Sequence, residues 1–98
     1  MGCYFMVNIY LEDKNSRKMY DEYIKKVKPI VESYGGEYLI RTEDILAFDE
    51  NWKPDRVIVI RFENKKAMDK CFSSEEYQEI KNLRINSVDS RVIIVNGK

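Results

Sequence analysis

The sequence predicts an α+β fold with the element order strand, helix, strand, strand, helix, strand. Three observations support this order. Residues 4–11 alternate in polarity with the period of a strand. Apolar residues then recur at helical spacing up to the Gly-Gly pair at positions 35 and 36, where the helix is expected to end. The segments 56–62 and 90–96 are short and rich in valine and isoleucine, as buried strands are.

Alternation divides the first predicted strand, Tyr4 to Leu11, into two faces. The apolar face consists of Phe5, Val7, Ile9 and Leu11. The other face consists of Tyr4, Met6, Asn8 and Tyr10. Because the second face is half polar and rich in tyrosine, we expect it to contact neither bulk solvent nor the main core.

The first helix is predicted from an apolar stripe that runs from Met19 to Tyr34. Pro29 lies inside this stripe. Proline lacks the backbone N–H and crowds the carbonyl of Lys25, so we expect a kink or a break into two pieces.

The second half of the chain contains three further strands and two capping signals. The strands are predicted at Glu37 to Arg41, Arg56 to Phe62 and Ser90 to Asn96. The loop from Thr42 to Pro54 has an apolar middle, residues 45–48, which is a candidate strand extension or hairpin arm. Asn64 is a predicted N-cap for a short helix. The segment 73–76, in which Ser73 is followed by Glu76 three residues later, is a predicted capping box for another helix.

These elements predict a single ferredoxin-like domain that spans residues 1–98. Its four-stranded antiparallel sheet carries the helices on one face. The other face is partly apolar, so it must contact something. We therefore expect a homodimer joined through this face of the sheet.

Composition excludes several classes of function. The 17 basic and 17 acidic residues give a net charge near zero, so we expect no nucleic-acid partner and no membrane partner. The chain contains no histidine, which removes histidine-based acid/base catalysis, histidine-dependent nucleophiles and most zinc and iron sites. Cys3 and Cys71 are expected to be free thiols. The N-terminus lacks the features of a signal peptide, so we expect a cytoplasmic location.

Four motifs of the chain resemble those of one family of short bacterial proteins. They are Gly-Gly-Glu-Tyr-Leu-Ile-Arg at 35–41, Trp-Lys-Pro-Asp-Arg at 52–56, Ser-Glu-Glu-Tyr-Gln at 74–78 and Leu-Arg at 83–84. The family is known as domain of unknown function thirteen-thirty, and the resemblance covers nearly the whole chain. One departure lies in residues 48–51, where the family usually has a glycine.

The resemblance implies membership of the dimeric α+β barrel superfamily. In that superfamily two ferredoxin-like sheets pack face to face, often around a cavity. Its members include cofactor-free oxygenases, lactone isomerases and haem enzymes. The family itself has no assigned reaction, so the resemblance implies a fold and a dimer but no specific chemistry.

The barrel side of the sheet is predicted from alternation in each strand. We expect Tyr38, Ile40, Ile58, Ile60, Phe62, Val92 and Ile94 to face the helices. We expect Leu39, Arg41, Val57, Val59, Arg61, Arg91, Ile93 and Val95 to face the barrel together with Asn8 and Tyr10. A one-residue error in register would invert these assignments.

Arginines on a buried face need partners, because a guanidinium keeps its proton and its unpaired burial is costly. One interpretation is a pocket for a small anionic metabolite, gripped by Arg41 or Arg61 and oriented by Asn8 and Tyr10. The alternative pairs each arginine with an acidic residue, for example from the Thr42–Asp55 loop. The acidic partner is the favoured interpretation for Arg61 and Arg91. For Arg41 the anion pocket and the acidic partner are equally favoured.

Two further residues complete the predicted ligand-binding set. Trp52 is expected to cover the edge of the barrel as a packing anchor. Arg84, near the end of a helix, is expected either to interact with the helix dipole or, as the resemblance implies, to point at the cavity or the dimer seam.

Two functions remain open at this point. The first is an enzyme of isomerase, lyase or oxygenase type that needs no cofactor and acts on a small acidic or carbonyl metabolite. Its acid or base would be a carboxylate, a tyrosine or a lysine. The alternative is a dimeric binding or interaction module without turnover. RNA binding is disfavoured because the third strand lacks the glycine and the aromatic residue of RNA-recognition motifs.

Overall fold

The elements lie in the predicted order. The computed structural model describes residues 2–11, 14–49 and 51–97, with only the backbone of residues 14 and 15. The strands are β1 (Cys3–Tyr10), β2 (Glu37–Thr42), β3 (Arg56–Phe62) and β4 (Asp89–Asn96), and the helices are α1 (Lys14–Ser33), α2 (Lys65–Ser73) and α3 (Glu75–Ile85). Helices α2 and α3 follow one another directly and together take the place of the second helix.

The four strands form one antiparallel sheet in the order β2-β3-β1-β4. Strand β1 is central, and Val7 pairs with Ile58 on one side and with Val92 on the other. Residues that pair directly across strands point to the same face of a sheet. The predicted faces of β1, β3 and β4 are therefore confirmed.

The helices cover the side of the sheet that carries Phe5, Val7 and Ile9, and the main core lies there. Helix α1 adds its apolar stripe to this core because Tyr20, Tyr23, Val27 and Val31 lie three or four residues apart. Both cysteines are buried in the core as free thiols, as expected.

The opposite side of the sheet has no helix over it in the described part of the chain. We call this side the open face. It consists of Tyr4, Met6, Asn8, Glu37, Ile40, Thr42, Val57, Val59, Arg61, Arg91, Ile93 and Val95. The prediction that one side of the sheet stays partly apolar and uncovered by helices is confirmed.

Strand β2 contains a β-bulge, and its predicted faces are partly wrong. The pairing shifts between Tyr38, opposite Ile60, and Ile40, opposite Val59. Arg41 then pairs with Ile58, which packs against the core. The extra residue therefore turns Arg41 to the helix side and Ile40 to the open face, the reverse of the prediction. The Arg41 guanidinium carbon lies 5.5 Å from the centre of the Tyr38 ring.

Two other predictions about local structure fail in part or in full. Of the kink or break expected at Pro29, the break does not occur, because helix α1 runs through Pro29. Residues 45–48 form neither a strand extension nor a hairpin arm, and they lie in an irregular loop. The predicted stop after α1 is confirmed, since Gly35 has a φ of 86°, which favours glycine.

The capping predictions for α2 and α3 differ in outcome. Asn64 caps α2 as predicted, and its side chain accepts a hydrogen bond from Ala67 N at 2.8 Å. The N-cap of α3 is Ser74, whose Oγ accepts from Tyr77 N at 3.2 Å. Ser73 is the last residue of α2, so the predicted capping box of Ser73 and Glu76 is wrong.

Candidate functional site

The residues predicted to bind a ligand do not form one site. Asn8 lies on the open face within a large depression. Tyr10 and Trp52 lie together at one end of that face, where Trp52 Nε1 donates a hydrogen bond to the Tyr10 hydroxyl at 2.9 Å. Arg61 lies beside Gly2 at the other end, opposite Tyr4.

The remaining two predicted residues lie on the helix side of the sheet. Arg41 is there because of the β2 bulge. Arg84 is there because α3 packs on that side, and it lines a cleft that the open face does not share. A pocket built from Arg41, Arg61 and Tyr10 together is therefore not formed.

The open-face pocket is a depression of about 570 Å³ between the open face and the loop that joins β2 to β3. Its floor is mostly apolar, with Met6, Val57 and Ile93. Its polar side chains are Asn8, Arg91, Asp49 and Trp52. An apolar pocket with few charges is suited to apolar side chains more than to a small anion.

The loop over this pocket, residues 43–55, is anchored at both ends. At its start, Glu43 accepts two hydrogen bonds of 2.7 Å from Arg17 and one of 3.3 Å from Arg56. At its end, Asp55 accepts from Leu11 N at 2.7 Å and donates its own N–H to the Ile9 carbonyl at 2.8 Å. The loop is thus held to α1, β1 and β3.

One interpretation expected an acidic residue of this loop to pair with Arg61 and Arg91. Glu43 is an acidic residue of the loop, but it pairs with other arginines. Arg56 is buried, and Glu43 is its ion-pair partner. The hydrogen bond from Arg17 is the main reason that the pKa of the Glu43 carboxyl is lowered, and the positive charges of Arg17 and Arg56 act in the same direction. The cluster is a structural anchor for the loop.

The middle of the 43–55 loop presents apolar side chains to solvent. Leu46 is 97% exposed and Phe48 is 100% exposed. Their neighbours Ile45 and Ala47 are half-buried. Both side chains also line the open-face pocket, so they form an exposed apolar wall of that pocket on the loop side.

A second depression, which we call the helix-side cleft, lies between α2, α3 and the strands β1 and β4. It has a volume of about 300 Å³. It is lined by Phe5, Met68, Asp69, Phe72, Tyr77, Arg84, Val92 and Ile94. The cleft exists because the helices leave the edge of the sheet uncovered, so that Val92 and Ile94 remain 38% and 47% exposed. As predicted, these two residues lie on the helix side of the sheet. They are less buried than the prediction of core residues required.

The polar residues that line this cleft are Arg84, Tyr77 and Asp69. Arg84 Nη1 donates to Ser90 Oγ at 2.7 Å, and Arg84 Nε is buried without a hydrogen-bond partner. The hydroxyls of Tyr77 and Tyr23 lie 3.0 Å apart and share a hydrogen bond. Among the described residues, no carboxylate forms an ion pair with Arg84.

A small cavity of about 30 Å³ continues the cleft inward beneath α1, and the two share Phe5, Phe72 and Arg84. This volume is enough for about one water molecule. Tyr20 and Tyr23 line the cavity, and the Tyr20 hydroxyl is buried without a partner. Two buried polar atoms without a hydrogen-bond partner, the Tyr20 hydroxyl and Arg84 Nε, thus belong to residues that line this cavity.

Burial keeps the tyrosines of this region protonated. It raises the pKa of Tyr20 and of Tyr23, and it raises the pKa of Tyr38 to about 12. Burial also raises the pKa of the Cys71 thiol to about 11. Asp69, at the edge of the cleft, accepts hydrogen bonds from Lys65 at 2.8 and 2.9 Å. The cleft therefore offers proton donors and a positive charge.

Sequence reasoning missed Tyr20, Tyr23, Ser90 and Phe72 as residues of a site. The first two were assigned to the apolar stripe of α1, which is correct but incomplete. A buried tyrosine needs a partner for its hydroxyl, so a core stripe built from tyrosines is a signal of buried polarity. No comparable signal marks Ser90 or Phe72.

Two further features are absent from residues 2–11, 14–49 and 51–97. In these ranges no cluster of cysteine and acidic side chains is arranged to hold a metal ion. No helix in them has the length and apolar character needed to cross a membrane.

Comparison with solved structures identifies relatives of the fold. A protein of unknown function from Rhodopseudomonas palustris is 17% identical and superposes with a TM-score of 0.81, covering 99% of this chain and 82% of that one. A dimeric ferredoxin-like protein of unknown function from Jannaschia sp. CCS1 is 11% identical with a TM-score of 0.78, covering 99% and 100%. SnoaB, a cofactor-independent oxygenase from Streptomyces nogalater, is 7% identical with a TM-score of 0.71, covering 99% and 93%.

At these identities the likeness shows the fold, which is ferredoxin-like as predicted. Among proteins with curated functions, none matches this chain in sequence. The family comparison is more specific, because the match to "Domain of unknown function (DUF1330)" extends over residues 3–98. The chain therefore belongs to the DUF1330 family.

Proposed function

We propose that this protein is an enzyme that needs no cofactor and acts in the helix-side cleft on a small, largely apolar molecule with a carboxylate or enol oxygen. The observation that carries the proposal is Arg84, whose buried Nε has no partner in a cleft lined mostly by apolar side chains. We also propose that the protein works as a homodimer joined through the open face.

The walls of the cleft select for an apolar body. Phe5, Phe72 and Met68 line one side, and Val92 and Ile94 line the other. Its volume of about 300 Å³ is at the lower end of the range for small-molecule sites. A compound with one aromatic ring or a short branched chain suits this space.

The floor of the cleft selects for a negative oxygen. A guanidinium is costly to bury without an opposite charge, and the described residues provide no acidic partner for Arg84. An incoming carboxylate or enolate would supply that charge and accept a hydrogen bond from Nε. The hydroxyl of Tyr77 lines the same cleft and can donate a second one.

The same groups can stabilise charge that develops during a reaction. When a carbon next to a carbonyl passes a proton to a base, for which Asp69 at the edge of the cleft is the candidate, negative charge moves to the carbonyl oxygen. Fixed donors aimed at that oxygen lower the barrier. Arg84 and the Tyr77–Tyr23 pair are such donors. The likeness in fold to a cofactor-independent oxygenase supports chemistry that needs no metal or cofactor.

A binding module without turnover is the second candidate. It is favoured by one observation, which is that Asp69, the carboxylate at the cleft, is engaged by Lys65. A bound molecule would then be held without loss of a proton. The two candidates differ in chemistry and share the same site.

The homodimer is supported by the apolar open face and by two structural neighbours that are named as dimeric proteins with a ferredoxin-like fold. Exposed Ile93, Met6 and Val95 form a continuous apolar surface on this side of the sheet. Contiguous apolar surface of this kind marks interaction sites.

The test uses phenylpyruvate, which combines one aromatic ring, a carboxylate and an enolisable carbon. Proton NMR in deuterated water follows both its binding and the loss of its methylene protons. We expect the protein to accelerate this exchange. Arg84→Met should weaken binding roughly 10- to 100-fold, since a hydrogen bond to a charged group is lost. Tyr77→Phe tests the second donor, and Lys28→Met at an exposed position of α1 is the matched control.

The outcomes separate the candidates. Exchange that depends on Arg84 and survives Lys28→Met supports the enzyme. Binding that depends on Arg84 without any exchange supports the binding module. Equal loss in Arg84→Met and Lys28→Met would contradict the assignment of the site to the helix-side cleft. Circular dichroism of each variant checks that the fold is retained.

A further inference from the structure

We propose that the 43–55 loop of each subunit inserts Leu46 and Phe48 into the open-face pocket of a second copy of this chain, with Asp49 of each copy paired to the partner's Arg91. This inference rests on the homodimer of the proposed function and adds the segment and the contacts that join it.

The first argument is where the exposed apolar surface lies. Phe48 and Leu46 are the most exposed large apolar side chains among the described residues. Half of the others in this class lie on the open face or at its edge, namely Met6, Ile40, Trp52, Ile93 and Val95. One side of the molecule therefore carries both projecting and receiving apolar groups.

The second argument is that the loop is held in place before any partner binds. Glu43 fixes its start through Arg17 and Arg56, and Asp55 fixes its end through the backbone of Ile9 and Leu11. Within the loop, Trp52 N donates to the Asp49 carbonyl at 3.3 Å. A segment whose two ends are fixed loses less entropy on docking than a free one, so its exposed side chains can act as anchors.

The third argument is charge complementarity with a second copy. Asp49 follows Phe48 directly, and Arg91 lines the same pocket. Neither residue takes part in an ion pair within the described part of the chain. A two-fold dimer brings the same patch of both copies together. Asp49, beside the inserting Phe48, can then pair with Arg91 in the receiving pocket, and this ion pair forms twice in the dimer. A patch that carries both members of such a pair matches its own copy.

The match of size also favours an inserted side chain. The open-face pocket holds about 570 Å³, its floor of Met6, Val57 and Ile93 is apolar, and Leu46 and Phe48 of the same chain form part of its wall. The partner's loop would therefore insert between this wall and the sheet. An aromatic ring at the centre of an interface, surrounded by polar groups at the rim, is the usual arrangement of a binding hot spot. Here Phe48 would be the anchor, and Asp49 and Arg91 would form the rim.

Sedimentation equilibrium and native mass spectrometry of the full chain test the proposal. We expect a wild-type dimer. Phe48→Asp should weaken it at least about 100-fold, because it replaces the central anchor with a charge. Asp49→Arg and Arg91→Asp should each weaken it at least about ten-fold, since each places like charges together. The double variant Asp49→Arg, Arg91→Asp should restore the dimer, because the ion pair forms again with the two charges exchanged.

The matched control is Ile85→Asp. Ile85 is 54% exposed, is apolar, and lies at the end of α3 away from the open face. We expect it to leave the dimer unchanged. Asp49 and Arg91 are exposed, so their variants should fold, and circular dichroism verifies this.

The results distinguish the loop insertion from the homodimer on which it rests. A wild-type dimer that is unaffected by Phe48→Asp and by the charge reversals would show that the homodimer stands and that the loop insertion is wrong. A wild-type monomer would overturn both. Weakening by the single charge reversals without recovery in the double variant would also contradict the proposed pair.

Discussion

The two sides of the sheet are formed by the same strands but differ in what covers them. Along β1, Phe5, Val7 and Ile9 pack against helices, while Met6 and Asn8 on the open face line an exposed pocket. The helix side encloses its polar atoms, including the hydroxyls of the tyrosines and the guanidinium of Arg84. The open side leaves its apolar atoms in water. The difference shows that alternation assigns a residue to a face, whereas the second layer decides whether that face becomes a core, a site or an interface.

The largest contrast is expected between two phenylalanines. Phe62 is fully buried on the helix side and packs edge-on against Phe72 at 5.9 Å, while Phe48 is fully exposed. Phe62→Ala should lower the free energy of unfolding by about 3–5 kcal/mol, because it leaves a cavity in the core. Phe48→Ala should change it by no more than about 0.5 kcal/mol in dilute, monomeric protein. Urea titration measures both values, and similar losses would contradict the assignment of the core to one side.

A smaller contrast is expected between two tyrosine hydroxyls. Tyr23→Phe removes a buried hydrogen bond and leaves the Tyr77 hydroxyl without its partner, which should cost about 1–3 kcal/mol. Tyr10→Phe removes only an exposed bond to Trp52 and should cost no more than about 0.5 kcal/mol. Thermal or urea unfolding at neutral pH makes the comparison.

The pH dependence of Tyr23→Phe sharpens this test. Burial raises the pKa of Tyr23 above its ordinary value of 10.0, so the folded state holds the proton more tightly than the unfolded chain. The stability that this contributes is full below pH 10 and is lost as the pH rises further. The wild type should therefore lose stability faster than Tyr23→Phe in alkaline urea titrations. Parallel curves would show that Tyr23 is not protected from ionisation.

The smallest contrast concerns two glutamates. Glu43 joins the open-face loop to Arg17 and the buried Arg56, whereas Glu22 pairs only with the exposed Lys26. Solvent screens both, so Glu43→Gln should cost about 1 kcal/mol at neutral pH and Glu22→Gln no more than about 0.5 kcal/mol. Chemical denaturation of both variants and the wild type measures these differences.

The loss in Glu43→Gln should also depend on pH in a defined direction. The pKa of Glu43 is lowered in the folded protein, so its contribution is present above the ordinary value of 4.5 and is lost as the pH falls through the folded value. The variant and the wild type should therefore converge in acid. A difference that persists unchanged in acid would mean that the charge of Glu43 is not what holds the loop.

Much of the fold could be predicted because its signals are local. Alternation in β1 and β3, the Gly-Gly stop after α1 and the Asn64 cap each depend on a few neighbouring residues. The bulge in β2 could not be predicted in this way. The segment from Glu37 to Thr42 contains no glycine or proline to mark it, and its faces are set by the pairing with β3.

The site was less predictable than the fold for a related reason. Arg84 and Tyr77 lie on α3, Tyr23 lies on α1 and Ser90 lies on β4, so only the packed structure brings them together. Their spacing in the sequence carries no common motif. Arg84 was singled out by resemblance, but its place on the helix side follows from how α3 packs.

The bulge in β2 also affects how the molecule behaves beside its neighbours. Strand β2 is an edge of the sheet, and an edge with regular spacing offers unpaired backbone groups to any extended chain that approaches. The register shift between Tyr38 and Ile40 interrupts that spacing within a strand of only six residues. The irregularity that moves Arg41 across the sheet thus also makes this edge a poor template for the strand-by-strand addition through which β proteins form fibrils.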